Sequence, residues 1–512
     1  SMVAEVLEKY PVDGIFLDCF TLSPCYGVEC LDGMRELGLD VFDDDQAREF
    51  CWRVTQHFTH DVEKLVQEKR KGINIYYNGL PYRTQPTHIE IECLPPRWGY
   101  DYLPWSARYA RTLDKRFFTM TGRFHQSWGD FGGIRPLHSL LFDCYNSIAN
   151  GGTCSVGDHM HPRGRLEPEV YNLIGQAYSR TQALDPWTED AKSLAEVAII
   201  EPALSRHPGG HFDRSSLIGA TRMMMELKYQ FDVCDGEGDL SEYRLLVLPD
   251  HVEITAPLQE KLQEHLGKGG VIISSAYAGL NPERTGFALD EYGLAYEGPE
   301  PHDPTFFAAE KWIDRDIPKM PIAIYDQGIA MRAQEGSGIL ARLLKPYFNK
   351  GSWDWYHEDM YTPPEKDTGR PALVQRGNIF HFSFPIFEGY CKRAVVAHRT
   401  LLGNCIQSVL PDPLVRVENV PSFGQVTITE RGKSRMVHIL AYVPELRGQQ
   451  QMIEEAILVK DIGLGLRSDG HQVKEVYLAP QGEKVPFYVE DGYITTRIPE
   501  IQGYQMVVFE LE

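Results

Sequence analysis

Acidic, imidazole and aromatic side chains crowd into three short runs between residues 88 and 161. HIEIECLPPRWGYDY carries Glu90, Glu92, Trp98 and Asp101; FTMTGRFHQSWGDFGG carries Arg123, His125, Trp128 and Asp130; TCSVGDHMHPRGR carries Asp158, His159 and His161. Each run begins as a strand-like stretch and ends in such a cluster. In a β/α barrel, chemistry sits where strands end and loops begin. Carboxylates mixed with Trp and His at those ends suit a sugar, the acids serving as nucleophile and proton donor and the rings stacking on apolar sugar faces. Glu90 and Glu92 lie two apart and so share one face of a strand. Two inward acids are costly to bury unless paired. One is therefore expected to be structural and the other the general acid/base; Glu92, nearer the loop, is the favoured candidate.

The elements that must position these residues alternate strand and helix up to about residue 187. Strand-like runs are GIFLDCF (14–20), INIYYN (73–78), HIEIEC (88–93), FFTMTGRF (117–124) and TCSVG (153–157). Between the first two lies a long helical pattern with Phe50, Val54, Phe58, Val62 and Val66 at helical spacing. This is the βαβ signature of a parallel sheet. Five strands fall short of the eight that a closed barrel needs in roughly 250 residues. The reading is an incomplete (β/α)8 TIM-type barrel, or else a smaller open sheet.

A second α/β unit follows. AEVAIIEP, YRLLVLPD, VIISS and NIFHFSFPIF read as strands, with SSLIGATRMMMELKYQF and PLQEKLQEHLGKGG as helices, in a flavodoxin-like order. Residues from about 280 to 370, rich in Pro, Gly and charge, read as a long insertion. From about 414 onward, short strand runs with turn residues between them predict a β-sandwich. The expected division is a partial barrel at 1–190, a flavodoxin/amidotransferase-like α/β domain at 191–412, and a β-sandwich at 413–512.

Composition narrows the partners. The chain has 512 residues, 43% hydrophobic and 11% aromatic, which makes a filled core. Its net charge of -21 argues against nucleic acid. The sequence holds no apolar run long enough for a membrane span. The N-terminal residues show no basic stretch leading into an apolar one, and the ten cysteines are scattered, so free thiols in a reducing cytoplasm are expected. Cys25 and Cys30 form a lone C-x4-C, too little for a zinc site. Asp158-His159-x-His161 could be read as metal ligands, yet no partner set accompanies it; no metal and no cofactor are expected.

The order of parts resembles the glycoside hydrolases that carry a β-galactosidase-type trimerisation domain, and within that group the phrases VDGIFLDCF, HIEIECLP-RWGYD, MTGRFHQSWGDFGG and SVGDHMHPRG resemble the barrel of glycoside hydrolase family 151. The resemblance covers nearly the whole chain. It implies α-L-fucosidase activity on a fucoside or small oligosaccharide. In related fucosidase families the nucleophile is an Asp at the end of the fourth barrel strand; carried over, that is Asp18. Strands five to eight then follow in order, and the first three are not in this chain. Retaining chemistry would place the Asp18 and Glu92 carboxyls about 5–5.5 Å apart. Glu90, Trp98, Arg123, His125, Trp128, Asp130, Asp158, His159 and His161 are the candidate sugar contacts. Two alternatives stay open: a β-galactosidase-like hydrolase on the same scaffold, and a non-catalytic sugar-binding protein. An open barrel edge exposes backbone groups, so a homo-oligomer is expected, with a trimer through residues 195–410 favoured.

Overall fold

The structure, a computed structural model, describes residues 2–20, 23–206, 213–349 and 362–512. Five parallel strands make up its first part: β1 (Gly14–Leu17), β2 (Asn74–Tyr77), β3 (Ile89–Cys93), β4 (Phe117–Gly122) and β5 (Thr153–Gly157). β1 pairs with β2, and β3-β4-β5 form a second sheet, all in parallel register. Between β2 and β3, side chains stand in for the ladder. Thr87 Oγ1 bonds both the N–H and the C=O of Ile75, and the Gln85 amide does the same for Tyr77.

Alternation along the strands sorts two faces. Ile15, Ile75, Tyr77, Ile89, Ile91 and Cys93 point outward and are buried under helices. Helix α1 (Asp44–Lys69) covers β1 and β2 through Val62 and Val66, and helix α2 (Tyr102–Ala110) covers β3 through Leu103, Ala107 and Ala110. Asp43 caps α1, accepting from the amides of Asp45 and Gln46. The apolar stripe of α1 is only half used. Val62 and Val66 are buried, but Val54 and Phe58 remain exposed. Among the described residues β1 has no partner beyond β2, so nothing extends the sheet under the first turns of this helix.

Helix α3 (Leu137–Ala149) packs between the parallel strands and the C-terminal part of the chain. Its Tyr145 stacks on Tyr504 with centroids 4.1 Å apart, and Asn146 donates to Gln425 Oε1.

The middle of the chain builds one nine-stranded sheet. Its parallel half runs Phe231–Cys234, Val197–Ile200, Leu245–Leu248, Val271–Ser275, Ile379–Phe382, which is order 2-1-3-4-5 in chain sequence. Four antiparallel strands then extend it: Pro364–Arg376, Gly338–Pro346, Thr305–Ala309 and Ile322–Ile324. Among the described residues, the segment that reads as an insertion thus supplies most of the antiparallel strands. Its strands carry Pro, Gly and several register shifts, which blur the period-two signal.

The last part is two antiparallel sheets face to face, of four and six strands, around Ile428, Ile462, Ile498 and Phe509. One outer strand of the six-stranded sheet is Lys192–Ser193, which pairs with Thr429 and Glu430. Of the described helices, none is long and apolar enough to cross a membrane.

Candidate active site

The inward face of the parallel strands is layered. Phe16 lies opposite Tyr76 on β1 and β2, and Glu90 opposite Phe118 on β3 and β4. Phe16 stacks on Tyr76 at 4.5 Å, and Phe118 meets Tyr76 edge-on at 5.6 Å, with His88 tilted against both rings. From Glu90, level with Phe118 in this aromatic floor, acidic side chains continue toward the carboxyl ends in Glu92 and Asp18, with Asn78 among them.

Asn78 lies two residues past Tyr76 and so shares its face. Its Nδ2 donates to Glu90 Oε2 at 3.1 Å and to Glu92 Oε2 at 3.0 Å. The backbone fixes it against the end of β1: Asn78 N–H donates to the Leu17 carbonyl, and Phe20 N–H to the Asn78 carbonyl, both at 3.0 Å. Gly79 makes this approach possible. It has φ +90°, and a Cβ there would stand 2.3 Å from the Phe20 carbonyl oxygen. The chain between Leu17 and Phe20, carrying Asp18, is therefore held beside Asn78. Asp18 is exposed, and its Oδ1 accepts from the Cys19 amide at 2.8 Å.

The two glutamates differ in surroundings. Glu90 is 5% exposed, and its Oε1 is buried with no hydrogen-bond partner among the described residues. Burial pushes its carboxyl up to about 7, helped by the negative charges of Glu92 and Asp18, while the Asn78 amide pulls the other way. Glu92 is half-buried and bonded at both oxygens, taking a 2.5 Å bond from Trp128 Nε1 besides that from Asn78. Asp18, and more weakly Glu92, raise the Cys19 thiol. Asp18 thus shares its field with both glutamates.

Trp128 stands on a loop that two buried arginines tie down. Arg123, 2% exposed, donates to Asp158 Oδ1 at 2.7 Å and to the carbonyls of Asp130 and Gly133. Arg135, 1% exposed, pairs with Asp143 at 2.7 Å and bonds Thr121, Gly122 and Ser139. Asp130 turns its carboxylate inward, accepting from the amides of Gln126 and Gly133. The indole lies on Gly157 at the end of β5, where a Cβ would be 2.3 Å from its ring. Phe124 and His159 complete an aromatic wall with it, at 5.2 and 5.6 Å, and Phe131 adds to His159 at 6.2 Å.

The sequence-derived candidates therefore separate. Asp18, Glu90, Glu92 and Trp128 come together, with His159 behind the indole. Arg123, Asp130 and Asp158 Oδ1 hold the loop, and Asp158 Oδ2 is buried with no hydrogen-bond partner among the described residues. His161 sits in a local turn, its Nδ1 accepting from the Arg163 amide. Trp98 is 43% exposed and edge-on to Tyr102, and Asp101 leaves for an ion pair with Arg222 of the middle sheet region. His125 lines a cleft of about 630 Å³ with Gln126 and Ile134, with Arg447 and Gln450 of the hairpin formed by Glu445–Arg447 and Gln450–Met452, and with Glu454 just after it. That hairpin, from the far end of the sequence, is invisible to local pattern. Asn78 was missed as well, although its place two residues beyond Tyr76 at a strand's end is a period-two signal. Among the described residues, no three His, Cys, Asp or Glu side chains are grouped to hold a metal. All ten cysteines are free; four are buried, while Cys19 and Cys25 are exposed.

No family model and no curated protein matches the chain. Solved structures do. The whole chain superposes on 79% of alpha-L-fucosidase isoenzyme 2 from Paenibacillus thiaminolyticus, with a TM-score of 0.93 and 29% identity. The β-galactosidase from Bacillus circulans sp. alkalophilus matches 91% of this chain and 67% of its own, with a TM-score of 0.63 and 13% identity. The polyextremophilic β-galactosidase of the haloarchaeon Halorubrum lacusprofundi matches 99% and 81%, at 0.61 and 13%. The last two likenesses concern the fold alone.

Proposed function

We propose that this chain is a glycoside hydrolase acting on α-L-fucosides with retention of configuration. The supporting observation is the acidic cluster, where Asp18 from one strand end and Glu92 from another border the same space around Asn78. Its full-length likeness to an α-L-fucosidase supplies the sugar. Asp18 attacks the anomeric carbon while Glu92 protonates the leaving oxygen; Glu92 then takes a proton from water, which releases the sugar from Asp18. The ring wall of Trp128, His159 and Phe131 offers an apolar surface to a sugar face or to the methyl group of a 6-deoxy sugar. The β-galactosidase-like folds keep a β-galactoside as the second substrate to try.

Nitrophenyl α-L-fucoside and β-D-galactoside, assayed side by side, test the reading. Asp18→Asn and Glu92→Gln are expected to lower turnover on the preferred substrate by roughly 10²–10⁴ while fucose binding persists. Sugar binding without turnover in the unaltered protein would favour a binding protein instead. Neither binding nor turnover would refute the assignment.

A further inference from the structure

The clamp beneath Glu92 has a role of its own. A single side-chain nitrogen, Asn78 Nδ2, donates to one oxygen of each glutamate at nearly equal distances. The remaining oxygen of Glu92 is taken by Trp128, and that of Glu90 is sealed from solvent with no donor among the described residues. An amide nitrogen bearing two hydrogens can serve two acceptors at once, so neither glutamate can turn without breaking a bond that the other feels. Asn78 is itself locked to Leu17 and Phe20 on both sides of Asp18.

We propose that Asn78 and Glu90 are positioning residues for this site: the amide couples the inner acid to the outer one, so that the charge on Glu90 governs how Glu92 and Asp18 work. The inference rests on the glycosidase reading for its consequence, though its structural core does not. The groups sharing Glu90's field are acids or phenols. Asp18 comes from the end of β1, Tyr76 from β2, Tyr82 from the turn before β3, and Glu92 from β3 itself. Cys19, Cys93 and Tyr102 lie within reach of the Glu92 charge, and His88 packs on Tyr76. With such neighbours and its burial, Glu90 holds its proton up to about 7, the range in which enzymes are usually assayed.

Two measurements on the full chain test this. The first is a 13C NMR titration of carboxyl-labelled glutamate, in which Glu90→Gln identifies the Glu90 signal. A carboxyl titrating near pH 7 is expected, absent in Glu90→Gln and moved to higher pH in Asn78→Ala, because the amide favouring the anion is gone. The second is the pH profile of kcat/KM. It should show an inflection near pH 7 that vanishes in the residual turnover of Glu90→Gln and moves up in Asn78→Ala, whose kcat falls at least tenfold with little change in KM. A simple structural role would lower activity and leave the inflection in place, which would overturn the proposal. So would a Glu90 signal that Asn78→Ala does not move. If the titration behaves as expected while the unaltered protein hydrolyses no glycoside, the coupling stands and the functional reading is what fails.

Discussion

Replacing Glu90 by Gln should make the fold around β3 more stable at alkaline pH, although it removes a side chain from the centre of the site. An unburied glutamate loses its proton near 4.5, and Glu90 in the folded chain near 7. That gap of roughly two and a half decades in proton affinity is worth about 3 kcal/mol. The sign follows from the direction. The folded value is raised, so the folded state binds the proton better than the unfolded one. Stability is greatest below pH 4.5, falls as pH rises toward 7, and stays about 3 kcal/mol lower above that. Gln carries no charge to desolvate, and its amide oxygen can still accept from Asn78 Nδ2, the donor that now serves Glu90. A chain of this size unfolds in parts, so the measurement should be local. Amide hydrogen exchange across Ile89–Cys93 reads the opening of this strand. At pH 8 the variant should exchange up to about two powers of ten more slowly than the unaltered protein. At pH 4.5 the ratio should have shrunk toward one. A variant that exchanges as fast or faster at pH 8, or a ratio flat across the range, would refute the claim that burial holds this carboxyl neutral.

Trp128→Phe removes the N–H that reaches Glu92, together with the far edge of the indole that lies on Gly157. A hydrogen bond to a charged group is worth about 1.5–3 kcal/mol, so kcat should fall roughly 10- to 100-fold while circular dichroism is unchanged. Arg135→Ala should cost about 3–5 kcal/mol, because Asp143 is left charged and buried without its partner; a denaturant midpoint that does not move would count against that pair. β1 has no neighbour beyond β2 among the described residues, and Phe16 stays 42% exposed. An edge of this kind is normally covered. Light scattering should therefore report an oligomer, with a trimer the favoured state, and a stable monomer would argue otherwise.

The five parallel strands could be read from the chain because a half-buried strand must alternate, and GIFL, NIYY, IEIEC, FFTMTG and TCSVG lie within the runs read for them. The same alternation put Glu90 and Glu92 on one face. The long insertion was harder, since its strands carry Pro, Gly and register shifts, and a strand's pairing partner leaves no local trace. Helix α1 shows the converse: its apolar stripe is plain in sequence, yet Val54 and Phe58 are left half-exposed.

Sequence by itself thus determined which residue types reach each strand's end, because side-chain direction is a property of the local backbone. Only the tertiary structure decided what those groups do there. Arg123 and Asp158 have the same chemistry as a sugar contact, and their burial against one another turns them into struts for the Trp128 loop. Glu90 and Glu92 are chemically identical, yet burial, with the charges of Glu92 and Asp18 beside it, makes Glu90 hold its proton to about 7, while Glu92 lies half-exposed beside an indole donor. Desolvation and hydrogen bonding depend on neighbours from other strands, and the spacing of residues along one chain carries no record of them.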